Sequence, residues 1–307
     1  MMIRTRTSLI IALLSITTSV IAQQRPLQSL YMFDPLLINP AYAGNHVQLS
    51  ATAIYRNQWV NFPGAPKTLT STIHSGFRNA RFGLGLIFGS DQIGVHSDNS
   101  LYLAYSYKIP LNKYNNASLA MGIQGGFNNL KSEYSILNPK DPDIYGTVTK
   151  FNPNFGAGLY YRDNNSFIGI SVPYIVNNKI MDVKSSLLAR QYRYYYLSAG
   201  TTKELNEKIK FKPSVLLRIH DRSPVSFDVN AMWVLYDVVS LGASYRLSDA
   251  VVGLFELQIN TNFHVGYAYD FTTSQINQYS NGSHEIMINY RIKIPKLHKG
   301  LECPAYF

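Results

Sequence analysis

Apolar and polar side chains alternate along most of the chain between residues 49 and 294. Residues 208–219 show this best, with Ile209, Phe211, Val215, Leu217 and Ile219 on one face and Lys208, Lys210, Lys212, Ser214 and Arg218 on the other. A period of two places successive side chains on opposite faces of a strand. Many such segments, without an apolar run long enough for a spanning helix, are typical of a transmembrane barrel. The pattern therefore predicts an all-β fold, an outer-membrane β-barrel of about 14 antiparallel strands.

The predicted strands cover residues 49–57, 68–77, 81–90, 99–109, 117–130, 154–162, 166–176, 192–203, 208–219, 224–235, 238–248, 251–259, 263–271 and 284–294. Connections at one predicted end of the sheet are all short. Most of those at the other end are longer, and they include the loops 131–153 and 177–191. Outer-membrane barrels have short periplasmic turns and longer external loops. The spacing fits an even strand number with both chain ends in the periplasm.

Charged side chains share one face of several predicted strands. Because a charge facing lipid near the bilayer midplane costs about 2–4 kcal/mol, this face should point inward. The positions that could line one lumen are Lys208, Lys210, Lys212, Arg218, Asp228, Arg246, Glu285 and Arg291. Such a lining could form a charged conduit or docking surface, or a salt-bridge network that fills the barrel. A soluble β-sandwich has the same period, but it would carry loops of mixed length at both ends.

Glycines also fall on the side of the predicted strands that should point inward. They suit barrel curvature and the close packing of an inner plug. These glycines are Gly83, Gly85, Gly122, Gly126, Gly156 and Gly158.

The first 22 residues read as a secretory signal peptide with cleavage after Ala22. Arg4 and Arg6 precede an uncharged, mostly apolar run over residues 9–20, which is too short for a membrane helix. Residues 23–47 do not alternate and form a predicted N-terminal accessory segment: a periplasmic lid, a luminal plug or a partner-docking strand. The predicted barrel covers 48–294, and 295–307 form a predicted C-terminal periplasmic tail.

Charge and cysteine content narrow the class of protein. The formal net charge is +10, and removal of the signal peptide lowers it to +8. The basic residues are spread through alternating strands, so no nucleic-acid partner is predicted. The 23 tyrosines suit aromatic girdles at the membrane interfaces. Cys303 is the single cysteine, so an internal disulfide is excluded and a closed hydrogen-bonded sheet must hold the fold.

No motif for catalysis, cofactor binding or metal binding stands out. The seven histidines are scattered, and residues 83–89 have the glycine spacing of a strand and not of a dinucleotide-binding turn. Asp141 and Asp143 sit in the longest predicted loop, where a solvated turn is the simpler interpretation than a Ca²⁺ site. We therefore predict no enzyme activity, no cofactor and no metal. The alternative is a barrel hydrolase with a wall-mounted Ser and His.

Two stretches carry a more specific signal. Residues 31–44 read YMFDPLLINPAYAG, and residues 55–68 read YRNQWVNFPGAPKT. Together they closely resemble the PorP/SprF outer-membrane family of the Bacteroidetes type IX secretion system. Residues 283–286 resemble the closing segment of that family, so the resemblance spans essentially the whole mature chain.

The resemblance implies a non-enzymatic outer-membrane component of the secretion and gliding machinery. Members support export or surface attachment of cargo that carries a C-terminal sorting domain, and some work with periplasmic or lipoprotein components. The alternative is a general porin or small-solute transport channel. The resemblance does not specify the cargo.

The two motifs supply the candidate partner-binding residues, and the loops 131–153 and 177–191 are the candidate cargo contacts. Proline-rich turn chemistry places aromatic side chains in both motifs. These aromatics could form a partner-docking face, or they could wedge the first strand and its loop against the barrel rim. The candidate partner-binding residues are Asn39, Pro40, Tyr42, Arg56, Gln58, Trp59 and Phe62.

Overall fold

The structure is a computed structural model of the 307-residue chain. It describes residues 28–46, 48–77, 81–112, 117–137, 146–178, 193–220 and 223–292. The predicted signal peptide, the predicted tail 295–307 and most of the predicted loop 177–191 lie outside these residues. Among the described residues, no helix has the length and apolar character needed to cross a membrane.

Fifteen strands form one sheet. They are β1 (Leu49–Asn57), β2 (Lys67–Phe77), β3 (Phe82–Ile93), β4 (His96–Pro110), β5 (Ser118–Glu133), β6 (Thr147–Arg162), β7 (Ser166–Val172), β8 (Tyr194–Thr201), β9 (Lys203–Asn206), β10 (Ile209–His220), β11 (Ser223–Leu235), β12 (Val239–Arg246), β13 (Ala250–Gln258), β14 (Phe263–Thr272) and β15 (Ser283–Ile292). Short 3-10 turns occur at Tyr31–Phe33, Pro35–Leu37, Pro40–Tyr42, Tyr134–Leu137 and Gln275–Gln278.

The sheet closes on itself as an antiparallel barrel. Consecutive strands pair with each other except β8 and β9, and β1 closes the ring by pairing with β15 from Leu49↔Ile292 to Asn57↔His284. Strands β8 and β9 both pair with β10 and are interrupted only at Thr202, so they form a single pass through the wall. The barrel thus has 14 passes, and the predicted fold class is confirmed.

The connections differ at the two ends of the barrel. We call one end the long-loop end; its connections are 58–66, 94–95, 134–146, 173–193, 221–222, 247–249 and 273–282. The other is the short-turn end; its connections are 78–81, 111–117, 163–165, 207–208, 236–238 and 259–262. By the general rule for outer-membrane barrels, we expect the long-loop end to face the cell exterior.

The two faces of the wall have opposite character. Apolar side chains such as Ile123 and Phe155 point outward and are 62% and 60% exposed. Charged side chains such as Asp228 and Glu285 point inward and are fully buried. The lipid phase would cover the outer belt, while hydrogen bonds and ion pairs must satisfy the interior.

Aromatic pairs lie near both ends of the strands. At the short-turn end, Phe211 contacts Trp233 with ring centroids 5.0 Å apart. At the long-loop end, Phe127 contacts Phe151 with centroids 4.7 Å apart. This arrangement matches the aromatic belts that barrels place at the two membrane interfaces.

The structure corrects several predicted boundaries. Strands β5 and β6 each run for 16 residues, so the predicted loop 131–153 shrinks to residues 134–146. The predicted strand 166–176 ends at Val172, because Pro173 has no N–H with which to continue the ladder. Lys208 is predicted to line the lumen. It lies instead in the turn before β10, where it is exposed.

Candidate functional site

Residues 28–46 cross the interior of the barrel, and we call them the plug. Every plug residue except Leu37 is buried. The plug contacts β14 and β15 near its start, through Ser29 and Leu30. Near its end it contacts another part of the wall, where Ala43 accepts a hydrogen bond from Ser106 of β4. Of the three predicted locations for this segment, the structure therefore supports a luminal plug.

A cluster of charges holds the first residues of the plug. The carboxylate of Glu285 accepts hydrogen bonds from the backbone N–H groups of Ser29 (2.6 Å) and Leu30 (2.9 Å). The same carboxylate pairs with Arg56. Asp270 accepts from the Ser29 hydroxyl at 2.8 Å and pairs with Arg56 at 2.8 Å. A buried carboxylate is tolerated when it is paired and hydrogen-bonded in this way.

The cluster extends along the inner wall to β11 and β12. Arg246 lies 3.2 Å from Asp228 and 3.7 Å from Asp270. Arg218 lies 3.9 Å from Asp228. Three buried arginines thus face three buried carboxylates, which favours the predicted salt-bridge network over an open charged conduit. We call the six residues the charge cluster: Arg56, Arg218, Arg246, Asp228, Asp270 and Glu285.

The middle of the plug is a series of 3-10 turns set by proline. Pro35 and Pro40 each begin a turn, where their fixed φ is favourable and their missing N–H is not needed. The side chain of Asn39 caps the second of these turns by accepting from the N–H of Ala41 at 2.9 Å. Asp34 accepts a hydrogen bond from the Thr72 hydroxyl of β2. The turns leave the backbone compact enough to fit inside the barrel.

Glycines of the inner wall receive the end of the plug. A methyl group built at Gly83 would overlap the carbonyl of Ala43, and one at Gly122 would overlap the backbone of Ala41. One at Gly158 would overlap the side-chain oxygen of Asn39. These positions form what we call the glycine cradle: Gly83, Gly122 and Gly158. The prediction that inward glycines permit close packing of a plug agrees with these contacts.

The second motif forms the end of β1 and the rim loop, residues 58–66, at the long-loop end. The rim loop is tied to both neighbouring connections. Val60 donates to Gly282 at 2.9 Å and accepts from Asn281 at 3.0 Å, while Gly64 accepts from Gly94 at 3.0 Å. Its backbone is therefore held in place on two sides.

Two residues of the rim loop adopt left-handed backbone conformations. The φ angle is 49° at Trp59 and 71° at Asn61. A bulky residue at positive φ is uncommon and costs of order 1–3 kcal/mol, which the surrounding contacts must offset. Such strain concentrates at functional sites. It fixes the indole of Trp59 next to the ring of Phe62, with centroids 6.5 Å apart.

A pocket of about 390 Å³ opens beside these aromatics. Trp59, Phe62 and Gly64 line it from the rim loop, and Gln92 and Gly94 line it from the β3–β4 hairpin. The pocket combines aromatic surface with amide groups, which suits a peptide segment better than a purely apolar ligand.

The seven candidate partner-binding residues divide into two groups. Four are buried: Asn39, Pro40 and Tyr42 belong to the plug, and Arg56 of β1 contacts it. Only displacement of the plug would expose them to a partner. Three lie at the rim: Gln58, Trp59 and Phe62. Arg56 and Gln58 join the two groups, with Nε and Oε1 3.4 Å apart. Partner contact stays a prediction for all seven.

Sequence reasoning did not connect the plug with its seat. Glu285 is predicted to point inward, but its partners, Ser29 and Leu30, lie 256 and 255 positions earlier in the chain. The charged side chains lie on several strands, and their partner is a segment without alternation. No short stretch of sequence therefore indicates that they meet. Asp141 and Asp143 lie outside the described residues. Within those residues, no group of three His, Cys, Asp or Glu side chains could hold a metal ion.

Comparison with one solved structure supports the fold. The chain is similar to a structure titled "CymD monoaromatic hydrocarbon channel", with a TM-score of 0.53 and 12% identity over 89% of this chain and 95% of the other. It also matches the outer membrane protein Omp33 of Acinetobacter baumannii, with a TM-score of 0.48 and 8% identity over 81% of this chain and all of the other. No curated protein matches the chain.

A family profile covers most of the sequence. The family described as "Type IX secretion system membrane protein PorP/SprF" matches residues 20–290, which include the plug, the rim loop and the barrel as far as Tyr290 of its last strand. The resemblance of the two motifs is thereby confirmed. The chain is an outer-membrane β-barrel that belongs to the PorP/SprF family of type IX secretion system membrane proteins.

Proposed function

We propose that this protein supports export and surface attachment of secreted proteins that carry a C-terminal sorting domain. In this proposal the barrel is an anchor for cargo and not a conduit. The observation that carries it is the plug, because residues 28–46 cross the lumen and are held at both ends by the charge cluster and the glycine cradle. Because the plug occupies the lumen, the rim and the outer surface are the parts of the barrel that can bind a partner.

The rim loop is the proposed contact for cargo. Trp59 and Phe62 are presented by a strained, well-anchored loop at the end expected to face the exterior. Aromatic side chains on a pre-organised backbone give a large contact area at low cost in conformational entropy. Periplasmic or lipoprotein components of the machinery would meet the opposite, short-turn end. Asn39, Pro40, Tyr42 and Arg56 then act as positioning residues for the plug.

The rim loop and the plug share supporting elements. Gln58 contacts Arg56 of the charge cluster, and the N–H of Trp59 donates to the Ser283 hydroxyl at 3.1 Å, two residues before Glu285. A partner that moved the rim loop would therefore act on the same strand ends that seat the plug. This connection supports a role in which cargo binding and plug position are coupled.

Deletion of the gene in the native host tests the proposal. Surface proteins with a C-terminal sorting domain would be quantified by protease shaving and mass spectrometry in wild-type, deleted and complemented strains. We expect at least one such protein to leave the surface on deletion and to return on complementation. Unchanged surface amounts of every such protein would overturn the proposal.

The rival function is a porin or small-solute channel, which the fold likeness to a solved channel also permits. Purified protein in planar bilayers distinguishes the two. A plugged barrel should stay closed for most of the recording, whereas a porin should give steady open currents. Steady currents from the full-length protein would favour the channel.

A further inference from the structure

The wall of the barrel has an incomplete strand pairing at the long-loop end. Strand β6 pairs with β5 along its whole length, from Thr147 to Arg162. On its other side, β7 pairs only with Ala157–Arg162. The first ten residues of β6 therefore extend past the end of β7.

Residues 173–178 satisfy a small part of this exposed edge. The N–H of Ile175 donates to the carbonyl of Phe155 at 2.8 Å, and the side chain of Asn178 donates to the carbonyl of Pro153 at 3.2 Å. Pro173 turns inward, where its carbonyl accepts from Gln124 of β5 at 2.9 Å. Residues 173–178 thus leave the sheet here, and none of them hydrogen-bonds to β6 before Pro153.

Strand geometry identifies the backbone N–H and C=O groups of β6 that still lack a described partner on the side of β7. Backbone hydrogen-bonding groups alternate between the two sides of a strand, so Thr149 and Phe151 face the same side as Phe155 and Pro153. Across the described part of the chain, neither Thr149 nor Phe151 has a backbone partner on that side. Pro153, which lacks an N–H, is in phase with them, as expected for a residue on an edge.

The local sequence is well suited to accept another strand. Residues 147–151 read TVTKF, which is rich in residues that favour strands, and Lys150 is its only charge. Phe151 is 63% exposed and its ring lies against Phe127 on the outer face. Natural proteins protect an exposed edge with bulges, prolines or several charges. Residues 147–151 contain neither a bulge nor a proline.

We propose that the edge of β6 at Thr147–Phe151 binds an extended strand of the secreted cargo. The inference rests on the proposed function and specifies how the cargo is held. The N–H and C=O groups of Thr149 and Phe151 on the open side, with which no described residue pairs, are complemented by another polypeptide backbone, which gives affinity through main-chain hydrogen bonds. The site lies at the end expected to face the exterior, so the strand comes from a partner outside the cell.

Hydrogen exchange on the full-length protein in detergent micelles tests the edge directly. The probe is the purified C-terminal sorting domain of the cargo that the deletion strain loses. We expect the backbone amides of Thr149 and Phe151, which face the open side, to exchange rapidly in the free protein and to become protected on addition of the domain. Protection already present in the free protein would mean that the chain covers its own edge, and it would overturn the proposal. Rapid exchange that the domain leaves unchanged would overturn it as well.

A matched pair of variants tests the backbone contact. Thr149→Pro and Thr149→Ala both remove the hydroxyl, but only proline removes the N–H on the open side. Pro153 shows that β6 tolerates proline in this phase. We expect about tenfold weaker binding of the domain by Thr149→Pro and near wild-type binding by Thr149→Ala. Heat-modifiable migration on gels confirms that both barrels have folded.

The outcomes separate this inference from the proposed function. If deletion of the gene displaces no sorting-domain protein from the surface, the proposed function itself fails. If deletion displaces a cargo but Thr149→Pro binds the cargo domain as well as Thr149→Ala does, only the strand-edge inference fails.

Discussion

The carboxylate of Glu285 accepts a hydrogen bond of 2.6 Å from the backbone N–H of Ser29, which lies 256 positions earlier in the chain. This contact joins the last strand of the barrel to the first described residues of the plug. Glu285 also pairs with Arg56 on the neighbouring strand β1. The plug is therefore seated at the seam where the two ends of the barrel meet.

Glu285→Gln should loosen the plug. The substitution removes the charge that faces Arg56, and breaking a buried pair by changing one partner typically costs about 3–5 kcal/mol. We expect openings to become more frequent in planar bilayers than for wild-type protein. Glu256→Gln is the matched control, because Glu256 is also buried but lies 3.3 Å from His264 and accepts a hydrogen bond from Ser240, neither of which belongs to the plug. Equal opening frequencies for the two variants would contradict this role of Glu285.

Gly122→Ala should displace the end of the plug. The added methyl group would overlap the backbone of Ala41, and overpacking of this kind costs about 1–3 kcal/mol. We expect faster hydrogen exchange in residues 39–44 and a lower urea midpoint. Gly253→Ala is the control, since no atom lies within 4 Å of the methyl group that it would add. Unchanged exchange in the plug of Gly122→Ala would argue against the glycine cradle.

The barrel was predictable because its determinants are local. Alternation in β10 and β15 is visible within ten residues of sequence, and the requirement to keep Asp228 and Glu285 away from lipid assigns the inner face. The inward glycines were predictable on the same grounds. Each of these arguments needs only one strand and the nature of the solvent on its two sides.

The plug and the edge of β6 were not predictable in the same way. The seat of Ser29 depends on side chains from β1, β12, β14 and β15, which only the closed barrel brings together. The end of β7 at Val172 depends on Pro173 turning inward, while the apolar pattern of the following residues resembles a continuing strand. Left-handed φ at Trp59 has no sequence signal, because such backbone angles favour Gly and Asn.

Trp59→Gly and Trp59→Ala should distinguish the effect of backbone strain at this position from the effect of the contacts made by the indole. Both variants remove the indole, so both should weaken cargo attachment under the proposed function. Glycine adopts a φ of 49° without strain, whereas alanine does not. We expect Trp59→Gly to be more stable than Trp59→Ala by about 0.5–1 kcal/mol in urea unfolding. Equal stability of the two would indicate that the backbone relaxes when the indole is removed.

A charge placed on the outer belt should be costly only where lipid covers the wall. Ile123 of β5 and Leu205 of β9 are both exposed apolar residues, at 62% and 58%. Ile123 lies within a long strand between Gly122 and Gln124 of the inner face, whereas Leu205 lies next to the turn at the short-turn end. We expect Ile123→Lys to lower the free energy of unfolding in lipid vesicles by about 2–4 kcal/mol and Leu205→Lys to change it by about 0–1 kcal/mol. The two sites are compared because both are exposed and apolar but are expected to lie at different depths in the bilayer. Equal loss of stability with the two lysines would mean that the outer belt is placed wrongly along the barrel axis.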